Sequence, residues 1–274
     1  MIFQTNNKNK MNIKIISSSI ILLFFSLGCR SDITAQTPKK NIETIVFFDL
    51  TQSCFNNNIQ SNNELNYCIK VIKKIIGKNL RNNKDRLTIS YIGDSKPSSR
   101  FNLILELKGI KNCDHLSGLA NLTCIAQNNQ LLKEKLSNNS NLVEKFIRKP
   151  DNDIMKSNFV KKTAILSSIS YASELFVNSN SQKEIYYFSD LVETKNFDIK
   201  NLIKSNTTNL MNNKNVKEGL AHLKNNKISY KLKDVKIHYY MPGRQLANNG
   251  SDYEKYESFW LKFFNSLSLK IFAI

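Results

Sequence analysis

The chain has 274 residues, of which 41% are apolar, and this is enough for the core of one large α/β domain or two small ones. The composition excludes a chain that is disordered or membrane-embedded throughout. A formal net charge of +18 would attract anionic partners, but the lysines are spread along the chain and are not gathered with aromatic residues. We therefore expect a solvated basic surface and no specific binding of nucleic acid.

The first residues have the pattern of an export signal. Three lysines precede an apolar run over residues 15–27, and Gly28 and Cys29 follow it. Because this run is too short to span a bilayer comfortably, it predicts a secretory signal, with either Met1 or Met11 as the start.

Cys29 directly after Leu27-Gly28 resembles the lipobox of bacterial lipoproteins, in which the cysteine is lipidated and becomes the first residue of the mature protein. The resemblance implies a signal peptide over residues 1–28, a lipid on Cys29 and a membrane-anchored place in the cell envelope, periplasmic or at the surface. Simple cleavage and an uncleaved anchor are the alternatives. Residues 29–40 are polar and are predicted to be a flexible tether before a domain over residues 41–274.

Strand and helix patterns alternate from residue 41 onward. Residues 44–49 form a continuous apolar run that ends in Asp49, which is typical of a parallel strand covered on both faces. Apolar residues at helical spacing predict a helix over residues 64–80. Residues 86–92 and 101–107 alternate in polarity around a turn-forming segment, which predicts a hairpin and one antiparallel edge.

The middle of the chain is less regular. Residues 109–130 contain two cysteines and are predicted to be an insertion, followed by a helix over residues 131–147. Thr163 opens another helix, and residues 185–188 form a short strand that ends at Ser189-Asp190.

The last part of the chain returns to alternation. It contains a weakly helical stretch over residues 201–223, a strand over 235–241, an amphipathic helix over 253–267 and a final strand over 269–274. The whole pattern predicts a doubly wound, mostly parallel sheet with one antiparallel edge strand and helices on both faces, in three layers.

Oxygen-bearing side chains follow two of the predicted parallel strands. Asp49, Thr51 and Ser53 leave the carboxyl end of the first strand, Asp190 leaves the end of a later one, and Thr163 opens a helix at the same edge. Ligands of such sheets lie beyond the carboxyl ends of the strands, and hard divalent cations prefer oxygen ligands. The sequence therefore predicts a cation site at this edge.

These residues resemble the metal-ion-dependent adhesion site of von Willebrand factor type A domains, with a likeness that covers roughly residues 41–274. The resemblance implies that Thr51, Ser53 and Thr163 hold Mg²⁺ or Mn²⁺ directly, whereas Asp49 and Asp190 act mostly through water. It also implies that a carboxylate of a protein partner completes the coordination, in an adhesion or interaction module that is not an enzyme. The chain departs from the family in having Thr51 for the usual serine, Ser189 before the second aspartate and no glycine pair before Thr163.

Other functions stay open as alternatives. Asp49 stands where aspartyl-phosphate phosphatases keep their nucleophile, but those enzymes carry a second aspartate two residues later, where this chain has Thr51. The chain also lacks a glycine-rich phosphate loop, the H-E-x-x-H motif and a serine elbow. A third alternative is a basic surface that binds an anionic polymer, and the serine and threonine residues could instead cap helices.

The cysteines fit an oxidising compartment. With Cys29 assigned to lipid, an even number remains: Cys54, Cys68, Cys113 and Cys124. The sequence does not choose among their three connectivities, and the short bridge between Cys113 and Cys124 is the preferred one.

Overall fold

The computed structural model describes residues 40–51, 59–93, 102–150, 162–176, 180–196, 198–204, 210–242 and 250–274. The predicted signal peptide and most of the tether lie outside the described residues, as do Cys29, Ser53 and Cys54. Residues 40–274 form one compact unit.

The described residues contain a six-stranded sheet. Its strands are β1 (Ile42–Asp49), β2 (Arg86–Ile92), β3 (Asn102–Glu106), β4 (Gln182–Phe188), β5 (Lys236–Tyr240) and β6 (Lys270–Ala273). They lie in the order β3-β2-β1-β4-β5-β6, and every neighbouring pair is parallel except β2 and β3. The predicted hairpin and antiparallel edge are therefore confirmed.

Helices connect these strands. They are α1 (Ile59–Asn79), α2 (Gly118–Arg148), α3 (Ile165–Leu175), α4 (Ile199–Lys204), α5 (Lys214–Asn225), α6 (Ile228–Lys231) and α7 (Gly250–Asn265). None of the helices in the described part of the chain has the length and apolar character that a bilayer span needs.

The apolar residues of β1 divide between two cores because successive side chains of a strand point to opposite faces. Val46 and Phe48 pack with the apolar faces of α1 and α2 on one side of the sheet. Phe47 packs on the other side with α3 and with the aromatic face of α7, which includes Trp260. The result is the three-layer, doubly wound α/β fold that the sequence predicts, of the von Willebrand factor type A or Rossmann-like kind.

Helix α2 is longer than the sequence predicts. It begins at Gly118, whereas the periodicity predicted a start at residue 131, so the cysteine-containing segment is a loop followed by the first turns of this helix. Those turns carry exposed Leu119, Leu122 and Ile125 and bury Cys124. Because they are largely surrounded by solvent, they lack the one-sided apolar pattern by which a packed helix is predicted.

A second difference lies in the predicted helical stretch over residues 201–223. The described residues place α4, a 3₁₀ turn (Leu210–Asn212) and α5 there as separate short elements. Asn213 follows the 3₁₀ turn and caps α5, because its side chain accepts a hydrogen bond from the Asn215 backbone N–H.

The preferred disulfide is present. Cys113 and Cys124 are bonded, with their Cα atoms 5.9 Å apart, and the bridge ties the loop before α2 to the first turns of that helix. Cys68 is a buried free thiol, and burial raises its pKa well above the ordinary range, which suits a packing role and not a reactive one.

Candidate functional site

The predicted site lies where the sheet changes its winding direction. The chain runs from β1 to β2 on one side and later returns to β4 on the other side of β1, so β1 and β4 are neighbours with connections that diverge. In doubly wound sheets, ligands usually lie beyond the carboxyl ends of two such strands. Asp49 ends β1, and Ser189-Asp190 follow β4 at this point.

Asp49 is the centre of a buried hydrogen-bond network. Its Oδ1 accepts the backbone N–H of Thr51 at 2.9 Å. Its Oδ2 accepts the hydroxyl protons of Thr163 at 3.1 Å and Ser189 at 2.7 Å. The Asp49 side chain is fully buried, so these donors replace the water that a carboxylate would otherwise require.

Two of the predicted hydroxyl ligands lie side by side. The Thr51 Oγ1 and Thr163 Oγ1 atoms are 3.4 Å apart although 112 residues separate them in the sequence. Thr163 is not the first residue of its helix, because α3 begins at Ile165. The structure therefore brings Asp49, Thr51 and Thr163 together.

Asp190 lies at the same edge, next to Ser189. Its Oδ1 accepts the backbone N–H of Val192 at 3.0 Å, and Ser189 Oγ accepts the backbone N–H of Leu191 at 3.0 Å. Leu191 has φ of 56°, the left-handed region that turns the chain sharply after the strand. Asp190 thus directly follows Ser189, whose hydroxyl donates to Asp49. Ser53, the remaining predicted ligand, lies outside the described residues.

Glu193 holds the two loops of the site together, and the sequence did not single it out. Its Oε2 accepts the backbone N–H of Leu166 at 3.1 Å, and its Oε1 accepts the backbone N–H groups of Lys195 at 2.8 Å and Asn196 at 2.9 Å. The first bond satisfies an otherwise unpaired donor in the first turn of α3. Glu193 thus fixes the start of α3 against the segment that follows Asp190.

A second set of bonds joins the same segments through Thr163. The Thr194 hydroxyl accepts the backbone N–H of Thr163 at 2.9 Å. The carbonyl oxygen of Thr163 accepts the backbone N–H groups of Thr194 and Lys195. Both backbone polar groups of Thr163 are therefore held by the segment after β4, and this sets where its hydroxyl points.

Burial changes the acidity of Glu193. The side chain is fully buried, and this raises the pKa of the carboxyl above its ordinary value even though the backbone N–H groups of Asn196, Leu166 and Lys195 oppose the shift. Glu193 is therefore a costly residue to keep charged, and its position is explained by the donors that it satisfies.

Helix α7 also anchors the site. The Trp260 indole N–H donates to the carbonyl oxygen of Leu191 at 2.7 Å, and Trp260 is fully buried. Tryptophan combines a large apolar surface with one donor, so it packs in the core and fixes the turn after β4 at the same time.

The donor set fits a hard divalent cation better than a soft one. Among the described residues, no group of three or more His, Cys, Asp and Glu side chains is placed to hold a metal ion. A cation at this edge would therefore depend on hydroxyl oxygens, supported by buried carboxylates. A hydroxyl that donates its proton to Asp49 keeps its lone pairs for another partner, and this is the arrangement of Thr163.

The spacing of the hydroxyls is also compatible with such an ion. Adjacent ligands of Mg²⁺ lie about 3.0 Å apart when each is about 2.1 Å from the ion. The two threonine oxygens are 3.4 Å apart, so a small movement would suffice.

Comparisons with known proteins assign no family to the chain. No family model matches it, and no curated protein matches it. Similar solved structures include proximal thread matrix protein 1 from the mussel byssus, at 10% identity and a TM-score of 0.37, over 73% of this chain and 38% of that one. They also include BatB from Bacteroides thetaiotaomicron, at 12% identity and a TM-score of 0.34, over 73% of this chain and 65% of that one.

An aerotolerance-related membrane protein from Bacteroides fragilis is similar at 10% identity and a TM-score of 0.35, over 73% of this chain and 66% of that one. The chain thus spans between 38% and 66% of the length of these three proteins.

Proposed function

We propose that this protein is an interaction module that holds one Mg²⁺ or Mn²⁺ ion and uses it to bind a carboxylate of a protein partner. Thr51, Ser53 and Thr163 would hold the ion, with Asp49 and Asp190 acting mostly through water. The observation that carries the proposal is the buried network in which Asp49 gathers the hydroxyls of Thr163 and Ser189.

The chain's own groups have separate tasks in this proposal. Asp49 is buried and accepts hydroxyl protons, so it orients the hydroxyl oxygens and supplies negative charge without occupying the position of the partner. Glu193 and Trp260 fix the backbone of the two loops. The bound ion would supply a concentrated positive charge that attracts a carboxylate, and the net charge of +18 would favour the approach of an acidic protein.

The ion is tested by calorimetric titration of the purified protein with MgCl₂ and MnCl₂. Thr163→Val keeps the shape of the side chain but removes its oxygen, whereas Thr163→Ser keeps the oxygen. We expect wild type and Thr163→Ser to bind and Thr163→Val and Asp49→Ala to bind at least tenfold more weakly, a difference of about 1.4 kcal/mol. The exposed Thr123→Val in α2 is the matched control and should bind like wild type.

Metal-independent folding must be checked in the same samples. Each variant is melted in the presence of a chelator, so that lost binding is separated from lost structure. Undetectable binding in the folded wild-type protein would remove the metal from the proposal, and equal affinity in wild type and folded Thr163→Val would remove this site.

The partner is tested by pull-down from an envelope extract. We expect partner proteins to be retained with Mg²⁺ and released by a chelator, and to be lost with Thr163→Val. Retention that is unaffected by both would contradict a metal-mediated contact.

The proposed location is the cell envelope, with a lipid anchor on Cys29. We expect Cys29→Ser to move the protein from the membrane fraction to the soluble fraction after cell lysis. A variant that stays in the membrane fraction would contradict the lipid anchor.

A further inference from the structure

A basic groove lies between α1 and α2, on elements separate from the candidate metal site. It is lined by Asn66, Ile69, Lys70, Lys73, Lys74, Glu144 and Arg148, and has a volume of about 470 Å³. Ile69 is 3% exposed and forms an apolar floor. The groove therefore has an apolar floor and a polar, mostly cationic rim.

A hydrogen-bond network holds part of this rim in place. Glu144 accepts Lys73 Nζ at 2.5 Å on one oxygen and Arg148 Nε at 2.9 Å on the other. The Arg148 Nη2 group donates to Asn66 Oδ1 at 2.5 Å. These bonds link Lys73 and Asn66 of α1 to Glu144 and Arg148 of α2 across the gap between the two helices.

Charge in the groove is not balanced by its own residues. Four cationic side chains face one carboxylate, which leaves a net charge of +3. Lys70, Lys73 and Lys74 crowd one face of α1 at spacings of three and four residues, where like charges repel each other. An anion with several negative oxygens would relieve this repulsion. It would accept hydrogen bonds from the lysine and arginine N–H groups that do not donate to Glu144.

We infer that this groove binds a phosphate-bearing anion of at least two negative charges. The Arg148 N–H groups that do not donate to Glu144 or Asn66 lie on Nη1 and Nη2, and this planar pair matches the geometry of phosphate oxygens. Lys70 and Lys74 are exposed and add point charges beside it. The volume exceeds that of a single phosphate group, and the Ile69 floor accepts an apolar portion of the ligand. The phosphate could be free in solution or belong to a lipid headgroup.

The test uses two probes, pyrophosphate for the free anion and vesicles for the headgroup. Calorimetry measures pyrophosphate binding, and co-sedimentation measures binding to phosphatidylcholine vesicles with and without phosphatidic acid. The main variant is the double substitution Lys70→Ala with Lys74→Ala. We expect at least a tenfold loss of affinity for the probe that binds, and a further loss when salt is raised, because screening weakens exposed charges.

The matched control is Lys217→Ala with Lys224→Ala, which removes the same charge from exposed positions of α5. It should keep affinity within about twofold of wild type. Arg148→Lys keeps the charge and loses the planar fork, and should bind severalfold more weakly.

Each outcome decides the inference. Binding of pyrophosphate alone indicates a soluble ligand, and binding of the phosphatidic acid vesicles alone indicates a lipid headgroup, provided that only the groove variant loses it. Equal losses in the groove variant and the control would overturn the inference in favour of a uniform field from the basic surface. Absence of binding to both probes by the wild-type protein would also overturn it, whatever the result for metal binding.

Discussion

Two polar clusters lie at opposite ends of the same pair of strands, β1 and β4, and each surrounds a buried carboxylate. At the amino end, Glu184 Oε2 accepts Asn79 Nδ2 at 2.9 Å and the Tyr186 hydroxyl at 2.7 Å. Its Oε1 accepts Gln182 Nε2 at 2.7 Å, and Asn79 also donates to Thr44 Oγ1 at 2.8 Å. At the carboxyl end, the corresponding carboxylate is Asp49.

The two clusters differ in what donates to the carboxylate. Around Glu184, Asn79 and Gln182 donate through amide nitrogens, which have no lone pair to offer afterwards, and the third donor is the phenolic hydroxyl of Tyr186. Asp49 instead receives the hydroxyls of Thr163 and Ser189, which follow or precede regular elements and keep acceptor capacity. A buried carboxylate therefore does not indicate a ligand site by itself, and the proposed site is distinguished by the aliphatic hydroxyls of Thr163 and Ser189 beside Asp49.

The largest expected effect is at the amino end. Glu184→Ala removes the acceptor of Asn79, Tyr186 and Gln182, so it should lower the free energy of unfolding by about 3 kcal/mol. Urea unfolding measures this change, and calorimetry should show unchanged Mg²⁺ affinity in the folded variant. A lost Mg²⁺ affinity with an intact fold would mean that the two clusters are not independent.

Glu193→Ala should have the next largest effect. It leaves the backbone N–H groups of Leu166, Lys195 and Asn196 without their acceptor, at about 2 kcal/mol of unfolding free energy. It should also weaken Mg²⁺ binding severalfold, because the start of α3, just after Thr163, loses one of its bonds to the segment after β4. Glu193→Gln keeps one acceptor oxygen and should lie between wild type and Glu193→Ala in both measurements; equal Mg²⁺ affinity in all three proteins would limit Glu193 to stability.

A pair of matched substitutions compares the two ends of β1 directly. Thr44→Val and Thr51→Val remove one buried hydroxyl each, and each should cost about 1 kcal/mol of unfolding free energy. Only Thr51→Val should abolish Mg²⁺ binding. Loss of Mg²⁺ binding in both variants, or in neither, would contradict a site that lies only at the carboxyl end of β1.

The smallest effect is the dependence of stability on pH. Burial raises the pKa of Glu193 above 4.5, so the stability contributed by this residue should fall as pH rises from 4.5 through the folded-state pKa. Burial of Glu184 acts in the same direction, but hydrogen bonds from Tyr186 and Asn79 outweigh it and lower the pKa. The contribution of Glu184 is therefore present above 4.5 and is lost as pH falls through the lower folded-state pKa.

Urea unfolding between about pH 2 and pH 8 checks both signs. Glu193→Gln should remove the loss of stability toward neutral pH, and Glu184→Gln should remove the loss toward acid. A wild-type curve that Glu193→Gln leaves unchanged in shape would contradict the raised pKa.

The sequence predicts the sheet well because burial on both faces leaves a strong local pattern. Residues 86–92 were predicted as a strand and form β2 with those bounds. The strand before Asp49 and helix α7 are predictable for the same reason, because their apolar residues pack in the cores. Helix α2 was predicted too short, because its first turns are mostly exposed and carry no such pattern.

The site was predictable only in part. Strand ends place Asp49 and Asp190 at one edge, and a helix start places Thr163 near it. The role of Glu193 was not predictable, because its bond to Leu166 spans 27 residues and depends on how two loops meet. A turn pattern in the sequence would have indicated only its bonds to Lys195 and Asn196.

The bridge between Cys113 and Cys124 depends on the redox environment of the chain. Thiols in a reducing cytosol stay reduced, whereas an exported chain meets oxidants, so the state of this pair records whether a given molecule has left the cytosol. Alkylation of intact cells before and after reduction, followed by peptide mass measurement at these two cysteines, would test the oxidised pair that the proposed envelope location predicts.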